Sequence, residues 1–257
     1  MIIPLFGPFA IHPYGLCIAL GVSIALVLML RAGPGQAAIP RDDLFNLINL
    51  SILAGIVGGR ALSIAADYDQ LDSWADLFAF WDGGFSILGS ILAIVICVCV
   101  YAMIKKLSIL AILDLFGLYA PLVQAFGRIG CYFAGCCHGI PTTQPWGITY
   151  TDPLSLAPLC IKLHPTQLYN VALLLFLFAG LIFMARRHPY PGTVFGWSIL
   201  GLGLIRFATD FWRGDRGLLL PCGPLTLSTN QILSGLFMLF AVLLLVLARH
   251  RARRRTL

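Results

Sequence analysis

The chain is poor in charge: only 11% of its 257 residues are Asp, Glu, Lys or Arg, and glutamate is missing altogether. A soluble domain carries roughly a quarter charged residues, so a soluble fold is excluded. No stretch is long or polar enough to form a disordered linker or a second domain, and no internal repeat is visible, which argues against a transporter built from sequence-level repeats. Residues 1–10 lack any Lys or Arg. The first apolar run then continues at full span length to Arg31, which predicts a retained first helix rather than a removable signal.

What fills the chain instead is apolar: 59% hydrophobic residues and a mean hydropathy of +0.90. Runs near the length that crosses a hydrocarbon core of about 30 Å occur at 12–30, 44–66, 84–104, 108–127, 166–185, 193–212 and 229–248. The expectation is an all-α, polytopic membrane protein of seven transmembrane helices, a single domain over residues 1–257. Gly33-Pro34-Gly35, Pro189-Tyr190-Pro191-Gly192 and Pro221-Cys222-Gly223-Pro224 punctuate turns between spans. The one long connection, residues 128–165, is rich in Gly, Pro and Thr, and long connections of this kind are functional or mobile.

Orientation follows from Lys and Arg, which are retained on the cytoplasmic side. Arg31, Arg41, Lys105, Lys106, Arg186, Arg187 and the arginine-rich tail from Arg249 to Arg255 all fall in alternate loops or at the C-terminus. The other connections hold only Arg128, Lys162, Arg213 and Arg216, and 67–82 holds five aspartates and no base. The N-terminus is therefore expected outside and the C-terminus in the cytoplasm. The net charge of +6 sits beside spans and in the tail, where anionic lipid headgroups attract it, so membrane lipids rather than nucleic acid are its expected partners.

Some polar residues are too costly to be incidental. Arg60 lies in the second span after Gly58-Gly59, and Arg206 lies in the sixth, followed by Asp210 and Arg213. A guanidinium at that depth costs a few kcal/mol and needs an anion. For Arg206 that anion is either Asp210, one helical turn on, or a phosphate or carboxylate ligand, which the planar fork of arginine can hold through two oxygens. Arg128 closes the fourth span, flanked by Gly127 and Gly130, which permit close approach. Arg128, Arg206 and Arg213 together imply an anionic headgroup drawn from the outer leaflet.

Cys17, Cys97 and Cys99 lie in spans and read as small buried hydrophobes. Cys131, Cys136, Cys137, Cys160 and Cys222 are expected at or beyond the outer surface. They allow three readings: disulfides or packing, a catalytic or substrate-shaping role, or metal ligation with His138, although a second spaced ligand pair is missing. Cys136 and Cys137, as neighbours, can hardly pair with each other. His12 and His164 each precede a proline at a helix start, where capping is the simple role, and His188 and His250 lie beside cytoplasmic arginines.

Six segments occur in an order that resembles the bacterial prolipoprotein diacylglyceryl transferases over essentially the whole chain. They are Gly7-Pro8 with Ile11-His12-Pro13-Tyr14-Gly15; Gly58-Gly59-Arg60; Trp81-Asp82-Gly83-Gly84-Phe85-Ser86; Gly127-Arg128-Ile129-Gly130; His164-Pro165-Thr166-Gln167-Leu168-Tyr169; and Arg206 with Asp210-Phe211-Trp212-Arg213. The resemblance implies a multi-pass enzyme of the bacterial inner membrane, its active site toward the outer leaflet. Its substrates would be phosphatidylglycerol and the lipobox cysteine in the signal peptide of a preprolipoprotein. It implies no cofactor and no metal. The family's essential arginines match Arg128 and Arg206, and its tyrosine matches Tyr14.

The sequence also departs from the family pattern. The family's catalytic histidine falls on Leu88, its signature asparagine on Cys131 and the following acidic residue on Cys136; a Gly-Cys-x-x-x-Gly-Cys-Cys signature is similar to that of divergent branches. An aliphatic side chain moves no proton. The candidates for that task are His138, then His164, or else Cys131 or Cys136 with a pKa lowered by Arg128, acting as nucleophile or accepting thiol. Gly127, Gly130, Gly139, Asp210, Arg213, Arg60, Cys131, Cys136 and His164 are expected to shape the substrate site. The alternatives are a related membrane enzyme with another thiol acceptor, or a lipid-binding or transport protein without chemistry.

Overall fold

A computed structural model describes residues 3–6, 9–11, 13–31, 39–66, 86–187, 190–216, 218–222 and 225–255. The helices are α1 (Pro13–Arg31), α2 (Arg41–Ala66), α3 (Ile87–Lys105), α4 (Ile109–Ala134), α5 (Thr166–Ala185), α6 (Thr193–Asp210) and α7 (Thr229–Arg255). Among the described residues three short antiparallel hairpins accompany them: β1 (Ile3–Phe6) with β2 (Phe9–Ile11), β3 (Ile148–Thr149) with β4 (Lys162–Leu163), and β5 (Leu219–Cys222) with β6 (Leu225–Ser228). The all-α expectation holds. Among the described residues six helices are long and apolar enough to cross a membrane. The seventh, α6, is outside that group, because Arg206 and Asp210 fall within its 18 residues. His12, His188 and the Trp81–Phe85 stretch with the acidic connection lie outside the described residues.

The chain divides into two compact units, residues 37–112 and the remainder. The smaller unit is the α2–α3 hairpin. The two helices touch at glycines: a Cβ on Gly58 would collide with Ala93 and the Gly89 carbonyl, and one on Gly89 would collide with Gly58 and Leu62. Such close backbone approach is how apolar helices associate where no hydrophobic drive is available. Ser90 Oγ donates to the Gly55 carbonyl at 2.8 Å, and Ser86 caps α3 by accepting from Gly89 N at 3.3 Å. Arg60 is half-buried on α2, next to Gly59, whose carbonyl accepts from Ser86 N at 3.0 Å. Leu88, on α3, is 70% exposed.

In the larger unit α4, α5, α6 and α7 are tied by polar contacts set into apolar faces. Asp114 of α4 caps α6: its carboxylate accepts from Gly192 N at 2.6 Å and Phe195 N at 2.7 Å, where orphan donors and the helix dipole both favour an anion. Ser198 Oγ donates to the Gly117 carbonyl at 2.7 Å. Pro121 sits inside α4, fully buried, a position tolerated in membrane helices because neighbours satisfy the freed backbone groups. α4 runs on past its expected end at residue 127 to Ala134. Arg128 and Cys131 are thus helical, and the long connection begins only at Gly135.

Candidate functional site

Two of the costly arginines meet. A cavity of about 340 Å³ is walled by Gln124 and Arg128 of α4, Asn170 of α5, Ile199, Leu202 and Arg206 of α6, and Asn230, Leu233 and Phe237 of α7. The walls are mostly apolar and the convergent polar groups are few, the usual build of a ligand site. Arg206 also feels the charges of Arg128 and Arg213. Arg128 has no carboxylate within ion-pair distance among the described residues.

Arg206 is held from behind. Its guanidinium lies 3.5 Å from Asp210 Oδ1, the i,i+4 pair its spacing allowed. Asp210 is completely buried. Its other oxygen accepts from Ser228 Oγ and from Arg216 Nε at 3.4 Å. Arg216 in turn donates to Gln231 Oε1 at 2.9 Å, which also accepts from Ser228 N at 2.9 Å. Asp210 therefore positions Arg206 and does not line the cavity. Arg213 was expected at a ligand, but its guanidinium is buried and donates through two nitrogens to Asp215, at 2.9 and 2.7 Å. That fork is already occupied.

Beside the arginines lies a thiol cluster. The Sγ atoms of Cys131, Cys136 and Cys137 are all within 4.8 Å of one another. Tyr14 on α1 shares electrostatic contact with these three thiols and with Arg128. It packs across Gly130, where a Cβ would come 3.0 Å from the Tyr14 Cα and 3.1 Å from its ring. Gly127 is different: a Cβ there meets only Ile18, at 3.9 Å, so close approach is not its purpose. All the described cysteines except Cys222, whose side chain is outside the description, carry free thiols.

Cys136 is not the activated thiol that Arg128 was expected to make it. Hydrogen bonding with Cys131 and Cys137, together with burial, pushes the Cys136 thiol up. Cys137 is the one pushed down, by hydrogen bonds from Cys131 and Cys136 and then by the charges of Arg213 and Arg128.

The histidines are engaged with their surroundings. His138 Nδ1 lies 3.1 Å from the Gly139 carbonyl, and its ring packs on Gly214. Neither His138 nor His164 lines the cavity. His164 Nδ1 lies 3.1 Å from Tyr169 Oη, which accepts from Trp146 Nε1 at 2.8 Å. Gly139 sits where three segments cross. Its N–H donates to the His164 carbonyl at 3.0 Å, it bridges Arg213, and a Cβ would lie 2.5 Å from His164.

Residues that single-sequence reading passed over complete this region. Thr166 Oγ1 donates to the Cys137 carbonyl at 2.7 Å, and Gln167 Nε2 donates to the Cys136 carbonyl at 2.8 Å and to Tyr150 Oη at 3.3 Å. Burial pushes the Tyr150 hydroxyl up to about 12, so it stays protonated and donates to the Tyr132 carbonyl at 3.2 Å. The signal for Thr166 and Gln167 was their place in the His-Pro-Thr-Gln-Leu-Tyr element. For Arg216, Ser228 and Gln231 no local signal existed.

A family model described as prolipoprotein diacylglyceryl transferase matches residues 1–247. Among curated relatives, the phosphatidylglycerol–prolipoprotein diacylglyceryl transferase of Clostridium tetani is 34% identical over 96% of this chain and 96% of its own length. Transferase 2 of Clostridium perfringens is 31% identical over 98% and 96%, and the Geobacter sulfurreducens enzyme is 32% identical over 93% and 91%. With apolar helices, paired arginines in one cavity and a match along nearly its whole length, this chain belongs to the prolipoprotein diacylglyceryl transferase family.

Proposed function

We propose that this membrane transferase moves the diacylglyceryl group of phosphatidylglycerol onto the thiol of a lipobox cysteine in a preprolipoprotein signal peptide, releasing glycerol phosphate. The observation that carries the reading is the pairing of Arg128 and Arg206 in one cavity walled by Ile199, Leu202, Leu233 and Phe237. The two guanidiniums hold the phosphodiester, and the apolar wall suits the adjoining glycerol and the first methylenes of the acyl chains. As the bond from glycerol carbon to phosphate oxygen breaks, charge grows on the phosphate, where fixed cations in a dry site stabilise it most. The same grip aligns the carbon for attack by a thiolate. Tyr14, packed on Gly130, interacts electrostatically with Arg128, and Asp210 keeps Arg206 in position.

The positive-inside distribution of Lys and Arg supports a cavity open to the outer leaflet of the inner membrane, with the C-terminus cytoplasmic. Leu88 at the family's histidine position favours one second reading, a relative that uses another thiol acceptor. The deciding experiment incubates purified protein with phosphatidylglycerol and a lipobox peptide and follows the peptide by mass spectrometry, with Arg206→Ala as control. A diacylglyceryl mass gain that disappears in the control supports the proposal. No gain with folded protein removes the lipobox peptide as acceptor.

A further inference from the structure

We propose that Cys131, Cys136 and Cys137 bind one zinc ion through three thiolates and leave its fourth position open for the acceptor thiol. This rests on the transferase reading above and goes beyond what the family resemblance implies, since that resemblance carries no metal.

Geometry is the first support. Zinc–sulfur bonds of about 2.3 Å place tetrahedral ligands about 3.8 Å apart. The three Sγ atoms already lie within 4.8 Å of one another, so small rotations about their Cβ atoms close the site.

The backbone is built to gather them. Cys131 is on the last turn of α4, and the chain then reverses through Gly135 at φ 75° and Cys137 at φ 59°. A left-handed φ is uncommon for a residue with a Cβ, and it persists where the surroundings fix it. Here the Thr166 hydroxyl and the Gln167 amide clamp the carbonyls of Cys137 and Cys136, at 2.7 and 2.8 Å. The ligands are therefore held before any ion arrives.

Ligand count and charge make the site reactive rather than closed. Structural zinc sites have four protein ligands, whereas catalytic ones have three and an open position. Among the described residues the group contains three thiols and no histidine, and His138 Nδ1 is turned to the Gly139 carbonyl at 3.1 Å. Three thiolates on Zn²⁺ carry one net negative charge, and a bound acceptor thiolate makes two.

Metal coordination deprotonates a thiol outright, which supplies what Leu88 cannot. The acceptor S–H bond breaks and its proton leaves to water. The sulfur lone pair then forms the S–C bond to the glycerol carbon, and the C–O bond breaks with its electron pair leaving on glycerol phosphate. Zinc is unchanged throughout.

The test uses the full-length protein, reduced and purified in detergent, and reads metal separately from transfer. Expected is about one zinc per chain by elemental analysis after equilibration with ZnCl₂, and a thiolate-to-cobalt charge-transfer band after Co²⁺ exchange. That band shifts when lipobox peptide is added and stays unshifted with the peptide's Cys→Ser form. Cys136→Ser and Cys137→Ser each lose the band, and Cys160→Ser keeps it. Absence of stoichiometric zinc and of the cobalt band in folded wild type overturns the site. A band that ignores the peptide, or transfer that survives complete zinc removal, overturns the open-position role. A peptide-sensitive band without transfer supports the site and refutes the transferase reading instead.

Discussion

Replacing Asp210 by Asn separates positioning from chemistry at the arginine pair. The wild-type carboxylate is fully buried and lies 3.5 Å from Arg206 and 3.4 Å from Arg216, whose side chains are 27% and 22% exposed. The amide keeps the shape and a hydrogen-bond acceptor for Ser228 but leaves two partly buried cations without their counter-charge. Removing one partner of a buried ion pair costs about 3–5 kcal/mol. Water reaches about a quarter of each guanidinium, so the low end, about 3 kcal/mol, is expected. For a chain of this size that lowers Tm by about 6–12 °C. The assay is thermal unfolding in detergent followed by tryptophan fluorescence, with initial transfer rates measured below the transition. Adding Arg216→Gln to Asp210→Asn should recover part of the loss, because the second change removes one stranded charge, and the double-mutant cycle isolates that coupling. A single mutant within about 1 °C of wild type, with unchanged transfer, refutes Asp210 as the anchor of Arg206.

Arg206→Lys keeps the charge but loses the fork, so kcat should fall about 100-fold, the scale of removing one transition-state donor, while unfolding stays close to wild type; equal kcat would remove Arg206 from the clamp. Gly139→Ala puts a Cβ 2.5 Å from His164 and should cost about 1–3 kcal/mol of stability, whereas Gly127→Ala meets only Ile18 at 3.9 Å and should stay within about 0.5 kcal/mol. Asp114→Ala strips the cap from α6, whose Gly192 and Phe195 N–H groups it holds at 2.6 and 2.7 Å, and should cost about 1–2 kcal/mol. Glycerol phosphate, a dianion, should inhibit more strongly than a phosphodiester analogue, and Arg128→Ala should erase the preference; equal inhibition in wild type would count against two cations sharing the phosphate.

The helices were legible because hydrocarbon demands an unbroken apolar run with every backbone group satisfied inside it. α5 spans Thr166–Ala185, the same bounds as the run in the sequence. The same rule explains the error at α4. Arg128 read as closing the fourth span, yet the helix carries that charge and tolerates the flanking glycines at a small cost, and α4 continues to Ala134. The hairpins were not legible, since strands of two to four residues such as Ile148–Thr149 and Leu219–Cys222 are too short to show alternation.

Within the site, Arg128 and Arg206 stood out because a charge in an apolar run needs a reason. Arg213 stood out by following Arg206 and Asp210 at the end of the sixth run, and its counter-ion, Asp215, was only two residues away in a segment read as a loop. Arg216, Ser228 and Gln231 were invisible because their bonds to Asp210 and to each other reach 15 or 18 residues along the chain or join polar groups of ordinary spacing. The proximity of three thiols depended on two left-handed backbone positions, which no periodicity reports.

The charges around the cavity can be sorted by what already neutralises them. Arg213 is matched by Asp215 through two bonds, and Arg216 shares the single carboxylate of Asp210 with Arg206. Arg128 has no carboxylate among the described residues. Four guanidiniums thus face two carboxylates, and the unmatched charge lies at the two arginines that line the cavity. A phosphodiester carries one negative charge, and the phosphate monoester formed when its glycerol carbon departs approaches two. An excess of cationic charge therefore matches the group that leaves better than the group that arrives. That difference accelerates the bond-breaking step instead of merely tightening the bound lipid, and it depends on Asp210 being shared: a carboxylate given wholly to Arg206 would neutralise the charge the departing phosphate requires.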